Sequence, residues 1–543
     1  MTSPDPIKSA HVDTFTSGGL PPRDLWPELI FKLPELNYPP RVNAAEYLLD
    51  RIIERHGPDR PCLRMDDSVW SYQDLLIRAN QIAHVLVDDL ALVPGNRVLL
   101  RGPNNPWLVA AWFGVLKAGG VAVTTMPLLR AGELRVMAAK ARVSLALCDH
   151  RFLGELVEAS VPGLTVVPFG GTEADDLIAL STDKPAAFAN IQTAADDVSL
   201  IAFTSGTTGD PKGCLHFHRD ILAIADTFSR HIVRPTVDDI FIVSPPMAFT
   251  FGLGGMVIFP LHAGASTVLL EKSTPELFAA AISRHQATIC FTAPTAYRAI
   301  LRRTDSDLAS LRRCISAGEA LPKATSDAWF TSTGVRIIDG IGSTEMLHIF
   351  ISAADADIRP GATGKPVPGF EARVVDASGR PVPDGTTGRL VVRGPTGCRY
   401  LNDSRQSSYV RDGWNWTGDS YLADRDGYFW FQARTDDMII SSGYNIAGPE
   451  VEDALLRHPD VAEAAVVGVP DEDRGSVVKA YVVLNHGANR DEEAVRALQD
   501  FVKAQIAPYK YPRVIEFVEQ LPRTATGKLQ RFRLRQAQPS VQL

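Results

Sequence analysis

The stretch TSGTTGDPKG, Thr204 to Gly213, follows directly on the apolar run DVSLIAF. Hydroxyls, glycines and one lysine after a strand-like run make a loop suited to polyphosphate. Gly206, Gly209 and Gly213 are expected to take positive φ, which lets turned amide N–H groups close on an anion. Thr204 opens the loop, Ser205, Thr207 and Thr208 offer hydroxyl donors, and Lys212 adds charge. Scattered Gly/Ser/Thr clusters are mostly solvated turns, but the density here exceeds that. The P-loop pattern G-x-x-x-x-G-K-[ST] is not met, because Lys212 follows proline and precedes glycine. A phosphate loop of another kind is expected.

The chain has 543 residues, more than one ordinary core holds, so a large N-terminal body with at least one smaller domain is expected. A net charge of −8 argues against nucleic acid as a main partner, since phosphate backbones are held by surplus Lys and Arg. Six cysteines are scattered without C-x-x-C spacing, which indicates neither a zinc site nor a disulfide framework. With no apolar signal core in MTSPDPIKSAHVDTF, a reducing, cytoplasmic setting is expected. Residues 240–270 carry no Asp, Glu, Lys or Arg, yet Pro245, Pro246, Pro260 and four glycines cut them into pieces. They read as buried strand and helix, with no membrane partner expected.

Between about residues 95 and 350, β-rich runs alternate with helical ones. NRVLL leads to NPWLVAAWFGVLKAGG and VAVTT, and ATICFTAP leads to TAYRAILRR and LRRCISAGEA. That alternation predicts an α/β fold with doubly wound parallel sheets, whose ligands gather at the carboxyl ends of strands. Glycine-punctuated short strands from about 362 to 432 predict a small β subdomain. Beyond Arg434 a compact α+β unit is expected, giving domains at 1–435 and 436–543.

Four more stretches follow in order: DGIGSTE (339–345), TGDSYLADRDGY (417–428), ARTDDMIISSGYNIAGPEVE (433–452) and PRTATGKLQR (522–531). With the phosphate loop they resemble the adenylate-forming superfamily of acyl-CoA synthetases, luciferases and peptide-synthetase adenylation domains. The resemblance covers roughly residues 45 to 535 and implies ATP, Mg²⁺ and CoA as co-reactants. A turn aspartate such as Asp419 is most often ordinary, but the resemblance makes it the acceptor of both ribose hydroxyls. Arg434 becomes a second ribose or phosphate contact. Glu345 organises the magnesium carried by ATP, and Thr344 touches the α-phosphate. Gly318, Glu319 and Ala320 line the adenine, and Asp339, Gly340, Ile341, Gly342 and Ser343 complete the nucleotide segment.

The resemblance also implies a catalytic lysine, Lys528, whose ammonium bridges the attacking carboxylate and the α-phosphate as charge spreads. Asp436 matches the hinge about which the terminal domain swings. In the second pose Ser442, Gly443 and Tyr444 enter the cleft to pass the pantetheine arm, with Lys510 and Arg513 as candidates for the nucleotide end of CoA.

For the acid, PPMAFTFGLGG (245–255) and GSTEMLHIF (342–350) resemble benzoate-type aryl-CoA ligases, and the opening SAHVDTFTSGGLPPRDLWPEL resembles the 2-aminobenzoate branch. Phe249, Phe251, Gly252, Ile341 and His348 are expected to wall a planar ring. Thr250, or His348, is expected to read an ortho amino or hydroxyl group. Three rivals stay open: an enzyme loading a carrier protein, a luciferase-like oxygenase, and a nucleotide sensor without turnover.

Overall fold

A computed structural model describes residues 8–204, 211–303, 306–434, 437–441, 444–471, 475–506, 510–523 and 529–536. Two largely parallel sheets build the large domain. The first runs Thr165–Phe169, Leu145–Asp149, Arg97–Arg101, Val121–Thr125, Val198–Thr204, Lys212–Phe217 in spatial order, and only its last pair is antiparallel. Its inner strands read as continuous apolar runs because helices cover both faces. Pro106–Lys117 is one such helix. Pro106 presets its first turn, and Asn105 caps it by accepting from the Leu108 amide at 3.0 Å.

The second sheet has nine strands, with Ile337–Gly342, Arg313–Ser316, Ile289–Thr292, Ile240–Val243, Ser266–Val268 and Pro61–Arg64 parallel at its centre. One apolar core that includes Leu100, Phe113, Phe241, Phe291 and Ile338 joins the two sheets. The uncharged stretch resolves into the strands Ile240–Val243 and Ser266–Val268 with short helical turns between Thr250 and His262. No helix among the described residues is long and apolar enough to cross a membrane.

The expected β subdomain is a five-stranded antiparallel sheet from Glu371 to Arg434. The terminal unit is α+β. Its strands Val461–Asp471, Gly475–Leu484 and Val514–Phe517 pack with the helices Gly448–Leu456 and Glu492–Gln505 around a separate core.

The base of the phosphate loop differs from expectation. Thr204 pairs with Lys212 across an antiparallel ladder, so the loop connects two strands of a hairpin. Gly213 is not in the left-handed region; it lies in the second strand, where a Cβ would stand 3.1 Å from Ile201 Cγ2. Close packing, not turn geometry, favours glycine there.

Residues 399–401 extend this edge strand. The Leu215 amide donates to the Arg399 carbonyl at 2.8 Å, and the Leu401 amide to the Gly213 carbonyl at 2.9 Å. The Arg399 guanidinium is fully buried over the Phe217 ring and ion-paired with the equally buried Asp220. Burial pushes the Asp220 carboxyl up, but Arg399 and His216 hold it below its ordinary value. Arg399→Met leaves that carboxylate uncompensated and is expected to cost about 3–5 kcal/mol, read as a lowered denaturation midpoint. Asp220→Asn added to Arg399→Met is expected to recover part of the loss.

Candidate active site

The edge strand, the added strip and the end of the second sheet converge on Glu345. The strand Ile337–Gly342 turns back on Ile349–Ser352, pairing Gly340 with Ser352 and Gly342 with Ile349. A Cβ on Gly342 would stand 2.6 Å from the His348 carbonyl oxygen, and one on Gly340 would stand 2.8 Å from Ile349 Cδ1. Only glycine lets the chain fold back so tightly. The turn that results presents Ser343, Thr344 and Glu345, so Glu345 sits in a turn and caps no helix.

Tyr400 donates to Glu345 Oε1 at 2.5 Å, and Lys212 Nζ donates to the Tyr400 hydroxyl at 2.8 Å. Lys212 stands 3.6 Å from Glu345 and over the ring of Tyr400. His216 reaches across the sheets with Nε2 2.8 Å from the Thr344 carbonyl oxygen, which identifies Nε2 as the protonated nitrogen. Ser343 and Tyr409 share a hydroxyl contact at 3.3 Å. Of the expected residues, Lys212, Ser343, Thr344 and Glu345 are therefore brought together. His216, Tyr400 and Tyr409 join them without any motif to announce them.

Asp339 lies behind this turn. Its Oδ1 is enclosed without a hydrogen-bond partner among the described residues, and burial raises its carboxyl to about 7. Burial also pushes the Tyr421 phenol well above its ordinary value, with Asp419 and Asp339 both adding to the push. The two carboxylates thus face one neighbourhood. Asp419 and Arg434 pair directly across adjacent strands at 2.9 Å, and Gly418, at φ +78°, leaves room for the guanidinium. Gly318 takes φ +89° at the turn that carries Glu319 and Ala320, in which Glu319 is largely covered.

His348 occupies an aromatic box. Its ring centroid lies 4.6 Å from Phe259, 5.2 Å from Phe228, 5.6 Å from Phe251 and 6.4 Å from Phe291. Burial lowers its pKa to about 3 against an opposing pull from the Phe251 backbone, and neither ring nitrogen makes a well-formed hydrogen bond among the described residues. It is therefore neutral at pH 7. A Cβ on Gly254 would stand 2.4 Å from His348 Cδ2, and one on Gly252 would stand 2.0 Å from the Pro246 carbonyl oxygen. Asn104 accepts from the Met247 amide at 2.9 Å and Thr124 donates to the Ala248 carbonyl at 3.2 Å, so the first sheet pins the loop carrying Phe249, Thr250 and Phe251. Thr250 is buried, and Phe251 and Ile341 pack against the central core.

Ser205, Gly206, Thr207, Thr208, Gly209, Asp436, Ser442, Gly443 and Lys528 lie outside the described residues. The hairpin that holds Tyr444 pairs Ser441 with Tyr444. Lys510, a candidate for the nucleotide end of CoA, contacts both oxygens of Glu450 at 2.6 Å and is largely covered. Arg513 lies 5.0 Å from the Tyr511 ring centroid.

Among the described residues no three His, Cys, Asp or Glu side chains form a metal cluster. Among the described residues Glu345 offers a hard oxygen ligand beside Lys212. That fits magnesium carried in on nucleotide phosphates, which keeps most of its waters, rather than a resident ion.

Residues 49–400 match the AMP-binding enzyme family and residues 450–528 match the AMP-binding enzyme C-terminal domain. The chain belongs to the AMP-binding enzyme family. Among its relatives, a benzoate–CoA ligase of Thauera aromatica is 37% identical, covering 93% of this chain and 98% of that one. A 3-hydroxybenzoate–CoA ligase of Aromatoleum sp. (strain CIB) is 33% identical over 91% of this chain and 97% of its own length. The solved anthranilate CoA ligase AuaEII, in complex with anthranoyl-AMP, superposes with a TM-score of 0.88 at 35% identity, covering 93% and 99% of the two chains.

Asp339 gives a pH test. A carboxyl raised to about 7 in the native state, against about 4 unfolded, binds more protons folded than unfolded between those values. Stability is therefore lost as pH rises through that window. Asp339→Asn removes the slope, and relative to wild type the variant is expected to gain about 2–4 kcal/mol between pH 4 and 8 in chemical denaturation.

Proposed function

We propose that the chain activates 2-aminobenzoate, or a closely related ortho-substituted benzoate, as its CoA thioester. It is an AMP-forming acid–thiol ligase of the benzoate type that uses ATP and CoA. The observation that carries the aromatic reading is the box around His348. Phe251, only partly buried, supplies a flat wall, and the buried Phe228, Phe259 and Phe291 hold a neutral imidazole that supplies one polar edge. A neutral imidazole has one donor and one acceptor, which matches an amino group beside a carboxylate. Thr250, next to Phe251 in the chain, is the candidate for a further hydroxyl contact. The anthranoyl-AMP ligand of the similar AuaEII structure supports the same substrate class.

In the first step the acid's carboxylate oxygen attacks the α-phosphorus of ATP and pyrophosphate leaves. In the second the CoA thiolate attacks the acyl carbon and AMP leaves. Lys212 and the loop that begins at Thr204 hold the phosphates, Tyr400 fixes the Glu345 carboxylate, and His216 fixes the backbone of Thr344. Asp339 offers an unpaired oxygen toward the nucleotide's exocyclic amine, and Asp419 and Arg434 serve the ribose. Magnesium, borne by ATP and steered by Glu345, supplies charge neutralisation at the phosphates. Lys528 stabilises the first transition state, and residues 436–543 then pivot at Asp436 to bring Gly443 and its neighbours to the thiol.

An ATP-dependent thioester assay over benzoate, 2-aminobenzoate, salicylate and a short fatty acid is expected to rank 2-aminobenzoate first by kcat/KM and the fatty acid last. A fatty acid in first place overturns the aryl reading. Lys528→Ala is expected to slow pyrophosphate exchange by about 10²–10³-fold. Thr250→Ala is expected to narrow the preference for 2-aminobenzoate over benzoate by about tenfold, and an unchanged ratio removes Thr250 from recognition.

A further inference from the structure

Arg523 lies five residues before Lys528, at the base of the segment that carries that lysine. An isolated antiparallel bridge pairs Arg523 with Leu529, and the Gln530 amide donates to the Pro522 carbonyl at 2.9 Å. Whatever anchors Arg523 therefore anchors both ends of the segment between. The two arms of its guanidinium go to different domains. Nη2 reaches Glu463 of the terminal unit at 2.7 Å, and Nη1 reaches Glu319 of the large domain at 3.0 Å. Glu319 follows Gly318 in the turn assigned to adenine.

The same joint has supporting contacts. Arg298 and Arg302, on the helix Pro294–Arg303, both donate to the Ala462 carbonyl, and the Ala324 amide donates to Asp453 at 3.3 Å. Burial pushes the Glu319 carboxyl up, and Arg523 opposes that push. A planar fork that divides between two domains is a connector, because rotation of one domain breaks one arm and leaves the other intact.

We propose that the Arg523–Glu319 pair is a latch specific to the adenylation half-reaction, seating the Lys528 segment against the nucleotide turn and releasing it for thioester formation. This rests on the two-pose reading given above. Glu463 travels with Arg523, so the guanidinium keeps one carboxylate in either pose. Glu319 loses its direct ion pair when the domain leaves and keeps only Thr295 and Arg298 of its own domain, and that cost falls on the departing step.

The test separates the half-reactions. Arg523→Met keeps the aliphatic stem and removes the fork. It is expected to slow adenylation, followed as pyrophosphate exchange, by about tenfold or more. Thioester formation from supplied benzoyl-AMP and CoA is expected to stay within about twofold of wild type or to quicken. In a Glu319→Gln background the Arg523→Met substitution is expected to add little further loss, because the pair is already broken. Equal losses in both half-reactions, or losses that multiply independently, overturn the latch. Arg523→Lys, which keeps charge without the fork, gives the same readout should the methionine variant fold poorly. Lys528→Ala distinguishes the two ideas. If it slows both half-reactions equally, the two-pose reading fails; if it is selective while Arg523→Met is not, the latch alone fails.

Discussion

The buried ion pair between Arg399 and Asp220 fixes the geometry on which the site depends. It clamps the 399–401 strip to the edge strand Lys212–Phe217, and that clamp aims Tyr400 at Glu345. The same Asp220 faces His216, which carries the constraint across to the Thr344 carbonyl of the second sheet. Three chain segments far apart in sequence are thereby held to hydrogen-bond precision around one carboxylate. Buried charges are costly to desolvate, so a pair in this position stabilises little by itself and chiefly specifies which surfaces meet.

The aryl side obeys a steric rule in place of an electrostatic one. Gly252, Gly254 and Gly255 sit where a Cβ would collide with the Pro246 carbonyl, the His348 ring and the Phe291 ring. Removing those carbons brings the helical turns after Phe249 close enough for four phenylalanines to surround one imidazole. Excluding water from that box keeps the imidazole neutral.

Much of this was legible in the residues. Alternating apolar runs revealed both sheets, and the run DVSLIAF marked the strand Val198–Thr204. Gly254 and Gly255 looked like helix breakers, whereas they make room for the His348 and Phe291 rings, which no local pattern encodes. Gly213 misled for the same reason. His216, Tyr400 and Arg523 were invisible because each acts through a partner more than fifty residues away in the chain. Nothing around Lys510 announced its pairing with Glu450, 60 residues earlier in the chain.

All six cysteines are buried. Two of them, Cys214 and Cys398, flank the Glu345 cluster, and burial together with that carboxylate pushes both thiols well above their ordinary values. An acyl-adenylate is a potent electrophile, and a nearby protein thiolate would capture the acyl group and poison the catalyst. Kept protonated and out of reach, these sulfurs leave the incoming cosubstrate without an internal competitor.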